Sequence, residues 1–275
     1  MSVTVIRPAG SAWLHVGEHF ARLREYADLL YTLSVHRVSV RYKQTTLGFA
    51  WALLQPVLMM LIFTVVFSVL AKMPSDGTPY ALFAFTALLP WSFFNTAVTG
   101  GTNSLVSHRH LITKVYFPRE ILPITYVVAA LFDFAVGCTV LVGLMWWYHV
   151  PLSAHVLNLL PIVALLAAWV LATSFVLAAM QVRFRDIGVA LPVLLQLLMF
   201  ASPIIYPLSV VPAAWRNWYL LNPMAGIVSS FRDVLLRQAA PDAYPLGMAC
   251  LVTAIALPAS YLFFKHADAT MADHL

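Results

Sequence analysis

The chain has 275 residues, 61% of them hydrophobic and only 10% charged, with a formal charge of +5. A soluble domain carries about 25% charged residues, so this composition cannot cover a water-exposed surface and points to an integral membrane protein. The basic excess is spread between apolar runs rather than gathered in one patch, which argues against nucleic acid as a partner.

In chain order, residues 1–46 form an arm. It holds Glu18, Glu25 and Asp28 and has no apolar core, so it is not a signal peptide. Phe20, Leu23, Tyr26, Leu30 and Leu33 recur at three- and four-residue spacing with charges between them, which predicts an amphipathic helix on the membrane surface. Two roles stand open for it: a plain anchor, or a gate element at the mouth of a pathway.

A span needs about 20 mostly apolar residues. Six are read, at 47–70, 80–98, 121–148, 156–180, 189–206 and 244–264, giving one all-α membrane domain over 47–264 and a short tail over 265–275. The Lys and Arg between spans set the orientation. The arm, the second and fourth connections and the tail hold most of them. The other side has only Lys72, Arg216, Arg232 and Arg237. Both termini are therefore expected in the cytoplasm.

The second connection, 103–120, is a wet island reading NSLVSHRHLITKVYFPRE. At 100° per residue Leu105, Leu111, Ile112, Val115 and Tyr116 fall on one side, and Ser107, Arg109, His110, Thr113 and Lys114 mostly on the other. A short amphipathic helix is predicted, with His108 on the wrong side and a solvated loop as the rival. A basic segment this long exceeds what a turn requires, so a cytoplasmic partner is expected on it.

Segment 207–237 is moderately apolar but broken by Pro207, Pro212 and Pro223. Asn222-Pro223 reads as a helix start, followed by Ile227, Phe231 and Val234 at helical spacing. That helix is too short to cross, so a re-entrant or surface helix on the outer side is expected, with Trp215, Trp218 and Tyr219 at headgroup level.

Candidate chemistry is sparse. Cys138 and Cys250 lie in apolar runs, and no metal-ligand spacing is present. No Gly-Lys pair occurs, so the chain has no phosphate-cradling loop of the Walker A kind. No nucleophile elbow or His–acid pair suggests a catalytic residue. Asp133, near mid-membrane in the third span, is costly there as a carboxylate. It is read as protonated, hydrogen-bonded to a group such as Gln55, Gln196 or Ser174, or facing water, in a functional or a purely structural role. Trp51, Trp91, Phe93, Phe94 and Tyr126 belong either to interface belts or to rings that stack on sugars in a channel.

These strings resemble a family, the ABC-2 type permeases that export lipid-linked polysaccharides, with the likeness greatest to the O-antigen branch. The resemblance rests on Arg41-Tyr42-Lys43-Gln44 followed by Leu47-Gly48 and Trp51-Ala52-Leu53-Leu54-Gln55-Pro56. It rests also on Leu89-Pro90-Trp91-Ser92-Phe93-Phe94, on Leu111 to Arg119, and on Leu221-Asn222-Pro223-Met224, in that order along the chain.

The resemblance implies an ABC-2 (type V exporter) fold with an N-terminal interfacial gate helix, a coupling helix over about 103–119 and outward re-entrant helices over about 207–237. It implies a homodimer in the bacterial inner membrane with two copies of a separate cytoplasmic ATPase. That subunit would hold ATP and Mg, with no cofactor on this chain. Leu105, Arg109, Leu111, Ile112, Lys114, Tyr116 and Arg119 would couple to the ATPase, while Arg41 and Lys43 would meet a lipid pyrophosphate or simply hold the membrane surface. Rival functions are an exporter of capsule, teichoic acid or small amphiphiles, and a membrane-embedded transferase of envelope synthesis.

Overall fold

The computed structural model describes residues 25–43, 50–115 and 117–274. Tyr116, residues 44–49 and the arm before residue 25 lie outside the described residues, as do the side chains of Arg41 and Lys43. Among the described residues the structure is helical throughout: α1 (Ala27–Lys43), α2 (Ala50–Phe63), α3 (Tyr80–Ser107), α4 (Arg109–Lys114), α5 (Ile121–Trp147), α6 (Leu159–Arg183), α7 (Asp186–Phe200), α8 (Ala213–Tyr219), α9 (Pro223–Leu235) and α10 (Ala243–His274). Short 3-10 turns occupy Ala154–Asn158 and Leu208–Val210, and α2 continues as a π-helix over Thr64–Leu70.

Among the described residues five helical stretches are long and apolar enough to cross a membrane: Leu53–Leu70, Tyr80–Ser107, Ile121–Trp147, Ala154–Arg183 and Ala243–Asp268. Helix α3 is the centre of the bundle, buried along nearly its whole length and packed by α5, α6, α2 and α9. Helix α10 packs on α6 and α9, and α1 lies along α5. At the α9–α10 crossing Gly226 faces the Pro245 carbonyl and Ala249, and a methyl group there would overlap that carbonyl oxygen.

The expected fifth span, 189–206, differs from the structure. Helix α7 begins at Asp186 and ends at Phe200. Its 15 residues reach about 22 Å at 1.5 Å per residue, short of the roughly 30 Å hydrocarbon core. The chain stays apolar through Ile204 and Ile205, which is why hydropathy alone extends the span. Pro203 has no N–H to offer the Met199 carbonyl, which weakens a further turn there. Two other boundaries move. The second span runs on to Ser107, so the start of the island is the end of α3, and residues 265–274 are the last turns of α10 rather than a separate tail.

The segment 207–237 forms α8 and α9. Asn222 caps α9 through its side chain, accepting from Met224 N–H at 3.1 Å with Pro223 at the first position. Almost all of α9 is buried. Helix α8 is the surface piece, with Trp215 and Trp218 67% and 71% exposed.

Candidate functional site

The island becomes a mounted surface, not a twelve-residue helix. Helix α3 stops at Ser107, His108 leaves helical geometry at φ −113°, and α4 spans only Arg109–Lys114 before Val115 turns extended. His108 explains the break. Its Nδ1 lies 2.8 Å from the Ser104 carbonyl and its Nε2 3.3 Å from the Arg37 guanidinium. Arginine can only donate, so Nε2 accepts and Nδ1 carries the proton to Ser104. Arg37 also sits 3.2 Å over the Tyr126 ring, against which His108 packs edge-on. Gly100 leaves the space that Tyr126 fills. Tyr126, expected in a belt or channel, is therefore the post on which α1 and the α3–α4 hinge meet.

Burial lowers the His108 pKa from its usual 6.5, and the Arg37 charge lowers it further against the Ser104 hydrogen bond. The folded value lies below the unfolded one, so the contact is intact above about pH 6.5 and is lost as the pH falls through the lowered value. An imidazolium would then face Arg37. Acidification is expected to lower the protection of the amides across Arg109–Lys114, relative to their intrinsic exchange rates at each pH, in the native chain but not in His108→Gln, as measured by hydrogen-exchange mass spectrometry.

Two groups of residues hold α4 in place. Leu105, Ile112 and Phe117 are buried in a cluster with Phe175, Ala178, Val182, Phe264 and Met271. Arg119 forms an ion pair with Asp268 at 3.2 Å and donates to the Asp268 carbonyl at 2.8 Å. Glu120, only 1% exposed, meets Lys265 at 2.7 Å and accepts from the Tyr261 hydroxyl at 3.5 Å. The last helix thus clamps the end of the island.

The seven expected coupling residues therefore divide. Arg109 and Lys114 point outward, beside exposed His110, Thr113 and Val115. Leu111 is half-buried. Leu105 and Ile112 are buried in the bundle and Arg119 is paired to α10, so these three anchor the surface instead of presenting it. Tyr116 lies outside the described residues. Lys265 and Asp268 were not anticipated as part of this site, and His108, Phe117 and Glu120, though inside the island, were given no anchoring role. A glutamate just before one span and a lysine just after another, expected on the same membrane side, was the one available hint of the Glu120–Lys265 pair.

Trp91, Phe93 and Phe94 are interior, at 5%, 3% and 2% exposure. Trp91 packs on Phe94 at 5.5 Å and Phe93 on Phe134 at 5.7 Å, with Phe134 in turn on Phe231 at 6.2 Å. Rings held in this core have no face left for a sugar, which corrects their reading as channel aromatics. Trp51 is 46% exposed, and Gln55 and Gln196 are exposed as well. Asp133 is half-buried on α5 beside exposed Phe132. The Ser174 hydroxyl makes no hydrogen bond and lies against Gly101, so it is not the partner of Asp133.

At the opposite end of the bundle, Arg232 of α9 is buried at 6% exposure. It donates to the carbonyls of Pro203, Ile204 (2.8 Å), Tyr206 (3.3 Å) and Phe83 (3.4 Å), and stacks 3.5 Å over the Phe83 ring. The charge count treated it as one more outer-side cation. In the structure it satisfies the turn that follows the short α7.

A family model described as "ABC-2 type transporter" matches residues 29–236. The O-antigen export system permease protein RfbA of Myxococcus xanthus is 35% identical over 246 residues, covering 88% of this chain and 94% of that protein. RfbA of Klebsiella pneumoniae is 25% identical over 210 residues, covering 76% and 80%. The polysialic acid transport protein KpsM of Escherichia coli is 22% identical over 232 residues, covering 82% and 88%. With the match spanning most of the helical bundle and the α3–α4 hinge inside it, the chain belongs to the ABC-2 type transporter family.

Proposed function

We propose that this chain is the membrane-spanning, channel-forming subunit of a bacterial inner-membrane exporter that moves an O-antigen-like polysaccharide out of the cytoplasm. It works as a transport subunit rather than an enzyme. Two copies form the pathway, and two copies of a cytoplasmic ATPase dock beneath them and supply ATP and Mg. The polymer travels on undecaprenyl pyrophosphate, with Arg41 and Lys43 meeting the pyrophosphate at the inner mouth. Both termini are cytoplasmic. Helix α7, completed by the turn at 201–206, makes the fifth of six crossings, and α8 with α9 closes the outward side. The names of the relatives support polysaccharide export. The KpsM likeness keeps capsule-type polymers open as cargo.

One observation carries the docking assignment: a six-residue helix with Arg109, Thr113 and Lys114 exposed, mounted on buried Ile112 and on the clamp at Arg119 and Glu120. A solvated loop has no need of such anchoring. The double charge reversal Arg109→Glu with Lys114→Glu leaves every anchor in place. It is expected to lower polymer export per ATP hydrolysed by about tenfold or more, since interfacial charge contacts are worth roughly 1.5 kcal/mol at the low end. Export per ATP equal to the native value in the doubly reversed complex would refute the assignment.

A further inference from the structure

The end of the bundle opposite α4 holds a polar cavity of about 200 Å³ that the coupling scheme does not use. Its volume corresponds to about six or seven water molecules, room for one sugar ring and not for a lipid chain. Much of its wall is bonded internally. Arg237 bridges Asp76 at 2.8 Å and Asp233 at 3.0 Å. The second oxygen of Asp233 accepts the Asp242 N–H at 3.2 Å.

Three groups on the wall are left over. The Arg216 side chain makes no ion pair or hydrogen bond within the described structure, and its Nε is buried without an acceptor. The Ser229 hydroxyl, also on the wall, makes no hydrogen bond among the described residues. Asp242 uses one carboxylate oxygen on the Tyr244 N–H at 3.1 Å and keeps the other. A simple anion would satisfy Arg216 but would face the carboxylates of Asp76, Asp233 and Asp242. A simple cation would face three arginines. A polyhydroxylated ligand serves both signs, because each hydroxyl donates once and accepts twice.

We propose that this cavity binds a single sugar residue of the polymer as it emerges, with Arg216 and Ser229 donating to its oxygens and Asp242 accepting from its hydroxyls. The inference rests on the export reading, which supplies the saccharide and places this end outward.

Saturation-transfer NMR on the assembled complex in nanodiscs tests it, with glucose, glucuronate, N-acetylglucosamine and inorganic phosphate as separate probes. At least one sugar is expected to receive saturation. Arg216→Gln and Asp242→Asn are each expected to weaken that binding by about tenfold, the value of one charge-assisted hydrogen bond, without lowering the thermal midpoint. Both variants leave the Arg237 bridges untouched. No sugar signal, a signal that neither variant changes, or binding of phosphate alone would overturn the proposal. A complex that exports polymer but binds no sugar overturns only the cavity. A complex that binds sugar through Arg216 and exports nothing overturns only the transport reading.

Discussion

Lys265→Met is expected to destabilise the protein by about 3–5 kcal/mol, because it leaves the carboxylate of Glu120 buried and unpaired. Glu120 is 1% exposed and Lys265 lies 2.7 Å from it. At roughly 2–4 °C per kcal/mol for a chain of this size, the thermal midpoint of the purified complex should fall by about 6–20 °C. Adding Glu120→Gln should recover most of that loss, since removing both charges together costs far less than removing one. The recovery separates an ion pair from a packing contact. If Lys265→Met alone leaves the midpoint unchanged, the clamp on α4 does not exist as described. The functional consequence follows from geometry. The pair joins the last residue of the island to α10, which packs along α6 and α9, so a loosened clamp should also lower export per ATP hydrolysed.

The largest effect at the other end is expected from Arg232. Arg232→Met strips the donors from the carbonyls of Phe83, Pro203, Ile204 and Tyr206 at a side chain only 6% exposed. An unsatisfied buried acceptor costs about 1–3 kcal/mol, so the four together represent at least about 4 kcal/mol. Arg232→Lys should restore only part of this, because a lysine has three donors on one atom and no planar fork to span four carbonyls or lie flat on Phe83. The expected order of thermal midpoints is native, then Arg232→Lys, then Arg232→Met, with exchange in the turn at 201–206 rising in step. Equal midpoints for all three would contradict the role assigned to this side chain.

Both predictions concern residues that the sequence pointed to only in part, for a physical reason. Hydropathy and charge counting report solvent preference averaged over a window. They found the five long apolar helices, the basic island and the capped start of α9 at Asn222-Pro223, because each has a local composition or a local hydrogen bond. They read Arg232 only as an outer-side charge, because the carbonyls it serves belong to a turn that looks apolar, Ala201 to Tyr206. They also extended the fifth span through that turn, since nothing in the hydropathy of Ile204 and Ile205 announces the end of α7.

The island shows the same limit. Its cations and its 3.6-residue period were visible, and they located Arg109 and Lys114 on the open side. The period also merged Leu105 and Ile112 into one helix face. The break at His108 depends on a ring bonded to Ser104 and Arg37, 71 residues away in the second case. Glu120 and Lys265 are separated by 145 residues, a pairing with no local signature. The aromatic residues illustrate the converse. Trp91, Phe93 and Phe94 carry the chemistry of sugar stacking, and only their burial against one another shows that they are packing the core.

The account stands on α4 being the docking surface for an ATPase. Photo-crosslinking tests it most directly. A benzoylphenylalanine placed at Thr113, exposed between Arg109 and Lys114, should form an adduct with the ATPase subunit in the assembled, active complex, and the same probe at Trp215 should form none. No ATPase adduct from Thr113 in a complex that hydrolyses ATP and exports polymer, or an adduct from Trp215 instead, would contradict the account.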